Sequence, residues 1–233
     1  MTTWAEDQHK ALLRAARADA DAAYRKGAPR ILKTPRQVLG TRVPKLRSIA
    51  KRWAREHGDA PSTERRKLIL SLWTGPTREE QMLALLVLAT LGPLMEWRDF
   101  ALLRAGLDSW EPTDQLAHLV ADFIEADPDH RLHHTSDLAS SDHLWTIRLG
   151  VVTLSQLNRR GLARDLTPAV IDGVRTYRDP VITKAVSWAL REYAASWPAK
   201  ARRYLKERGD ELPAIAVRET RNKLETGKKS GKK

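Results

Sequence analysis

Trp110 with Asp114, Arg148, Trp188, and the segment from Leu72 and Trp73 to Gln81 carry residue types and spacings that a helical core does not need. Arg148 is the clearest of them. Its neighbours three and four positions away are Leu144, Trp145, Val151 and Val152, so a permanent charge stands inside an apolar arc and requires a phosphate or a carboxylate. An internal salt bridge to a neighbouring helix is the structural alternative to a DNA contact. Lys184, Trp188 and Arg191, at spacings of four and three, place a basic, aromatic, basic stripe on one helix face. Such a stripe can hold a phosphate backbone and press an indole against sugar, or it can be cationic stems lying over a half-buried ring. With Pro112 as a first helical residue, Asp114 falls in the first turn, where the macrodipole favours a carboxylate by ~0.3–1 kcal/mol and keeps it ionised. A carboxylate there serves as a helix stabiliser as readily as a catalyst, and Trp110 is either core or a staple at the helix entry. His130, His133 and His134 have a spacing compatible with metal, but no carboxylate or thiolate completes a recognisable set. A solvated cluster and no metal are expected. Phosphate-binding glycine loops, nucleophile elbows and dinucleotide fingerprints are missing, so no cofactor is expected.

The elements that must position these residues read as helices throughout. Period-two alternation is missing, whereas apolar residues recur at three and four, as in Leu46, Ile49, Ala50 and Trp53, and again in Ile182, Val186, Ala189 and Tyr193. Pro44, Pro112 and Pro180 each suit a first helical position, with Asp179 capping the last. The predicted helices span 4–26, 42–57, 63–73, 77–92, 95–106, 112–126, 129–138, 142–160, 163–175, 180–196, 198–208 and 211–225. Helices of this number with short connections predict an all-α fold, an α-solenoid of about six antiparallel pairs. Sequence self-similarity is weak, which keeps a compact bundle as the alternative. Lys33 to Val43 is the longest expected non-helical stretch, made basic by Lys33, Arg36 and Arg42; it touches DNA or is a solvated loop. Residues 1–225 are expected to form one domain, followed by a disordered basic tail over 226–233.

Charge narrows the partners. The chain has 41 Lys and Arg against 29 Asp and Glu, a net charge of +12; the tail lysines Lys228, Lys229, Lys232 and Lys233 supply four of these and the remaining body stays at +8. A field of that sign favours nucleic acid or an anionic surface. At 233 residues the chain is long enough to bury roughly 70% of its unfolded surface, and without cysteine it has no disulfide framework. No signal peptide or membrane-length apolar run is present, which predicts a soluble cytoplasmic protein.

The same residues carry a resemblance. Leu39-Gly40 with Pro44 and Leu46; Leu72-Trp73, Pro76, Arg78, Glu79 and Gln81; Trp110 with Asp114; Trp145 and Arg148; and the run Lys184-Ala185-Val186-Ser187-Trp188-Ala189-Leu190-Arg191-Glu192-Tyr193-Ala194 together resemble the AlkD-like branch of the DNA alkylation repair family, from about Leu39 to Leu224. The resemblance implies HEAT-like helical repeats with a concave basic face for duplex DNA, and a monomeric, monofunctional glycosylase that releases cationic alkylpurines without enclosing a flipped base. It implies catalytic roles for Trp110, Asp114, Arg148 and Trp188, with Arg42, Arg148, Lys184, Trp188 and Arg191 on DNA. Pro112 between Trp110 and Asp114 departs from the family pattern, as does a long segment from Gly27 to Gln37, which leaves Tyr24 as the candidate N-terminal aromatic contact. A catalytically silent DNA-binding repeat protein and a protein-binding scaffold are the competing function classes.

Overall fold

A computed structural model describes residues 2–231; Met1 and the last two tail lysines, Lys232 and Lys233, lie outside the described residues. The fold is all-α. No strand occurs among the described residues, and the one isolated bridge joins Gln37 to Thr77. No described helix is long and apolar enough to cross a membrane. The chain resolves into two compact units, one ending at Gln115 and the other beginning at Leu116.

The first unit holds α1 (Trp4–Ala18), α2 (Ala22–Leu32), α3 (Val43–His57), α4 (Ser62–Trp73), α5 (Arg78–Leu88), a tight turn over Ala89–Leu94, α6 (Trp97–Arg104) and the opening of α7 (Trp110–Glu125). Helix α1 packs on α3 and α4, and α5 packs on α3 and α4, around Leu12, Leu46, Ile49, Leu68, Leu72 and Leu83. Helices α1, α2 and α5 start where a side chain satisfies a free backbone N–H group. Thr3 and Glu6 form a capping box on α1, and Thr77 and Glu80 form one on α5.

The single helix expected over 4–26 is two. Asp19 and Asp21 interrupt it: Asp21 accepts the Tyr24 N–H at 2.9 Å as the cap of α2, while its own N–H turns outward to the Gly40 carbonyl at 3.0 Å. Short acidic side chains compete with helical bonding in this way. Helix α2 then runs through Gly27 and Pro29 to Leu32, six residues beyond the expected end at 26. Residues 33–42 are non-helical as expected, but the segment is not a freely solvated loop, since Val38, Gly40 and Thr41 are buried. The expected helix 77–92 stops at Leu88, where a tighter turn leads to Gly92 at φ 52° and Pro93.

The second unit continues α7 and adds α8 (Pro128–Arg131), α9 (His133–Ala139), α10 (Leu144–Arg159), α11 (Leu166–Val174), α12 (Pro180–Ser196), α13 (Pro198–Arg208) and α14 (Ala214–Thr226). The helix expected over 129–138 is broken at Leu132 into α8 and α9. Pro180 opens α12 with the Asp179 carboxylate accepting the Val181 N–H at 2.7 Å, and both α12 and α13 keep their predicted bounds. Helix α10 lies between α9 and α12, and α12 packs in turn on α13 and α14. Beyond α14, Gly227 takes a left-handed conformation and the Lys229 ammonium comes within 3.4 Å of Glu219.

Gly150 sets how closely α9 approaches α10. A methyl group there would lie 2.6 Å from the Ala139 nitrogen and 2.9 Å from the Thr135 oxygen, both backbone atoms. Gly173, in α11, has open space around it. Gly150→Ala is therefore expected to lower stability by about 1–3 kcal/mol, since backbone cannot rotate away as a side chain can. Gly173→Ala should raise it by about 0.4–1 kcal/mol. Urea midpoints of the two variants check this; a Gly150→Ala protein as stable as Gly173→Ala would contradict the close approach.

Candidate active site

In the first unit, the start of α7 is held by a buried charge centre. Arg78, only 1% exposed, donates from Nε and Nη2 to the two carboxylate oxygens of Glu111 at 2.7 and 2.6 Å, and from Nη1 to the Thr41 carbonyl at 2.7 Å. Beside it Glu79, fully buried, accepts the N–H groups of Leu39, Gly40 and Thr41 at 2.9, 3.1 and 3.1 Å. Burial alone would push the Arg78 guanidinium down, but its bond to Glu111 and the nearby carboxylates hold it above its ordinary value. Arg36 adds a second clamp, donating to Asp108 at 2.7 Å and to the carbonyls of Trp73 and Gly75. The basic segment 33–42 thus uses one of its arginines internally. Gly40 is required in it: φ is 107°, and a Cβ would meet the Asp21 oxygen at 2.6 Å.

This centre overturns one expectation. Helix α7 opens at Trp110, not at Pro112, so Glu111 occupies the first turn and Asp114 is the fifth helical residue. Pro112 sits third, where a missing N–H costs nothing because that group has no partner inside the helix. The first-turn argument for an ionised Asp114 therefore transfers to Glu111, which is spent on Arg78. Asp114 is half-buried, one turn after Trp110 and on the same face. The Trp110 indole N–H donates to the Ile31 carbonyl at 3.2 Å, and its ring packs with Tyr24 against Ala28, Leu32 and Val38. Arg42 is exposed; its guanidinium lies 4.6 Å from the centroid of the Tyr24 ring and 3.2 Å from Asp21. Trp110, Tyr24 and Arg42 are thereby gathered on one side of the first unit.

In the second unit, Arg148 projects from α10, is 7% exposed, and donates from Nη1 to the Val181 carbonyl in the first turn of α12 at 2.7 Å. Lys184 is exposed one turn further along α12, and Trp188 is half-buried one turn beyond that. The Trp188 indole N–H donates to Glu192 at 3.1 Å, and Arg159 at the end of α10 donates to the same carboxylate oxygen at 2.7 Å. The Arg159 guanidinium lies 5.6 Å from the Trp188 ring centroid. Arg191, the last member of the expected stripe, turns to the buried Glu219 of α14 and to the Ser187 hydroxyl, with 16% of its side chain exposed. Burial would raise the Glu219 carboxyl, yet Ser187, Arg191 and Lys229 together hold it below the ordinary carboxylate range. Of the stripe, only Lys184 and Trp188 face outward.

The histidine expectation also needs correction, because a carboxylate does join the group. Asp137 brings Oδ2 to 3.9 Å from His133 Nε2 and 3.8 Å from His134 Nδ1, while His130 pairs separately with Asp127 at 2.8 Å. Burial and the neighbouring His133 push His134 below the usual imidazole range. Sequence reasoning also missed Arg159 as the partner of Glu192, and the coupling of Arg78 to Glu111. The four-residue step from Trp188 to Glu192 was a usable signal; the other two contacts depend on tertiary packing.

The profile of the DNA alkylation repair enzyme family matches residues 3–224. The chain belongs to this family. Among solved structures, a predicted DNA alkylation repair enzyme from Enterococcus faecalis superposes with a TM-score of 0.77 over 89% of this chain and 98% of that one, at 18% identity, and so shares the fold. No curated protein matches. The helical fold implied by the resemblance and the role of the chain in alkylation repair rest on these findings.

Removing the cation of the buried centre leaves Glu79 and Glu111 uncompensated, so Arg78→Ala is expected to cost about 3–5 kcal/mol. Arg98, with 65% of its side chain exposed, is the control, and Arg98→Ala should change stability by less than about 0.5 kcal/mol. Equal denaturation midpoints for the two variants would remove the centre from the account of how α7 is held.

Proposed function

We propose that this family member hydrolyses the N-glycosidic bond of cationic N3- or N7-alkylated purines in duplex DNA. The observation that carries the reading is the pairing of a half-buried Asp114 with Trp110 one turn earlier, on a helix start anchored by a buried ion pair. Both are types that stabilise a sugar cation.

Alkylation at N3 or N7 makes the base a cation. When the bond from C1′ to the base nitrogen breaks, the electron pair leaves with the base, which departs neutral and needs no acid. The deoxyribose is left as an oxocarbenium ion. Asp114 stabilises that charge and orients the water that adds to C1′, whose proton passes to the carboxylate and then to solvent. At ~4 Å and an effective dielectric near ~20 the attraction is about 4 kcal/mol, roughly a thousandfold in rate. Trp110, on the same helix face as Asp114, offers an electron-rich face to the sugar, and the family resemblance gives Trp188 a deoxyribose contact of the same kind. Lys184 and Arg42, whose side chains are exposed, take phosphates and set register, while Arg148 holds the start of α12 through the Val181 carbonyl. Selectivity then comes from the lability of the lesion, so bulky adducts on the base are substrates as well. The reaction needs no cofactor, and we read the protein as a monomer acting on DNA in the cytoplasm.

Asp114→Asn is expected to bind duplex DNA at least as tightly as the parent while base release falls about a thousandfold. Equal release by both proteins would take the catalytic role from Asp114 and favour a silent DNA-binding protein. Binding itself should weaken with salt at about −0.9 in logarithmic slope per phosphate held, and Lys184→Ala should flatten that slope by about one contact. A flat salt titration would point to a protein scaffold instead.

A further inference from the structure

Trp188 does not stand alone on its helix. Its half-buried indole has its N–H held by Glu192 at 3.1 Å, four residues on along α12. Glu192 is in turn fixed from a second helix, by the Arg159 bond at 2.7 Å from the end of α10. Both donors meet one carboxylate oxygen, and 19% of the Glu192 side chain is exposed. Burial pushes this carboxyl up, but the bond and charge of Arg159, with the Trp188 N–H, hold it below the ordinary range, so it is an anion at neutral pH. An N–H group bonded to an anion favours the one rotamer that keeps the bond, and the Arg159 guanidinium, 5.6 Å from the ring centroid, lies against the same indole.

We propose that Glu192, braced by Arg159, is a positioning residue that presents the Trp188 indole to the deoxyribose of the damaged nucleotide. The inference rests on the glycosylase reading and extends it to two residues that touch no substrate. A purely structural role for the pair would be a modest one, since exposed ion pairs contribute little to stability, and Arg159 keeps 48% of its side chain in solvent.

The test uses the full-length protein and duplex DNA carrying 7-methylguanine. Single-turnover release is measured for the parent, Glu192→Ala, Glu192→Gln, Trp188→Phe and the double variant Trp188→Phe/Glu192→Ala, together with thermal midpoints and the 1H–15N indole resonance of Trp188, assigned by its loss in Trp188→Phe. Glu192→Ala should slow release by about three- to tenfold, the cost of freeing one ordered side chain, with duplex affinity nearly unchanged. Glu192→Gln, whose amide oxygen still accepts the N–H, should recover part of that loss. The indole resonance should move in Glu192→Ala, and in the Trp188→Phe background the same change should have no further effect on release. Equal slowing in both backgrounds, or an active Glu192→Ala protein at the parental rate, overturns the inference and leaves the glycosylase reading intact. Absence of release by the parent overturns that reading, and this inference with it. A Glu192→Ala protein whose thermal midpoint has collapsed is replaced by Arg159→Ala, which removes the brace on Glu192, and there an unmoved indole resonance and a parental rate again overturn the proposal.

Discussion

The contact on which the site most depends is the two-pronged bond between the buried Arg78 and Glu111. A guanidinium with 1% of its surface exposed is tolerated only when its donors are matched, and here the matches are Glu111, the Thr41 carbonyl and the neighbouring Glu79. Because Glu79 also takes three successive backbone N–H groups of the 39–41 segment, the centre fixes a helix start, a loop and α5 in one arrangement. The phase of α7 follows from it. With Glu111 turned toward Arg78, Trp110 and Asp114 share another face of the same helix, and the Trp110 indole is anchored separately on Ile31.

The same economy governs the charge. A net excess of +12 favours a polyanion, but many arginines are already engaged: Arg36 with Asp108, Arg66 with Asp99, Arg160 with Asp122, Arg175 with Glu211 and Arg191 with Glu219. Net charge sets the long-range attraction, whereas the grip on individual phosphates falls to cations that keep their donors accessible, such as Lys184 and Arg42.

How much of this was legible in the sequence depends on whether a signal was local. Helices α12 and α13 kept their expected bounds because each begins with proline, Pro180 and Pro198, at a position that fixes the first turn. The all-α class followed from apolar residues recurring at helical spacing. The break at Asp19–Asp21 was missed because the cap it forms is stabilised by Gly40, nineteen residues beyond Asp21. The start of α7 lies two residues before the expected one, because Pro112 is acceptable at more than one first-turn position and only the packing of Glu111 against Arg78 decides between them. Arg148 was recognisable as buried from its apolar neighbours alone. Arg191 was not, since its partner Glu219 lies on another helix. Glu192 stood inside a conspicuous motif, but its hold on Trp188 becomes meaningful only with Arg159 brought in by the packing of α10 on α12.

The central claim is that the Asp114 carboxylate, with the Trp110 indole one turn earlier on the same helix face, speeds the loss of a positively charged base. The most direct test incubates the purified protein with methylated duplex DNA and identifies liberated bases by mass spectrometry. The account predicts free N3- and N7-methylpurines accumulating well above the spontaneous rate, with abasic but uncut DNA left behind. Release no faster than in protein-free DNA would contradict it.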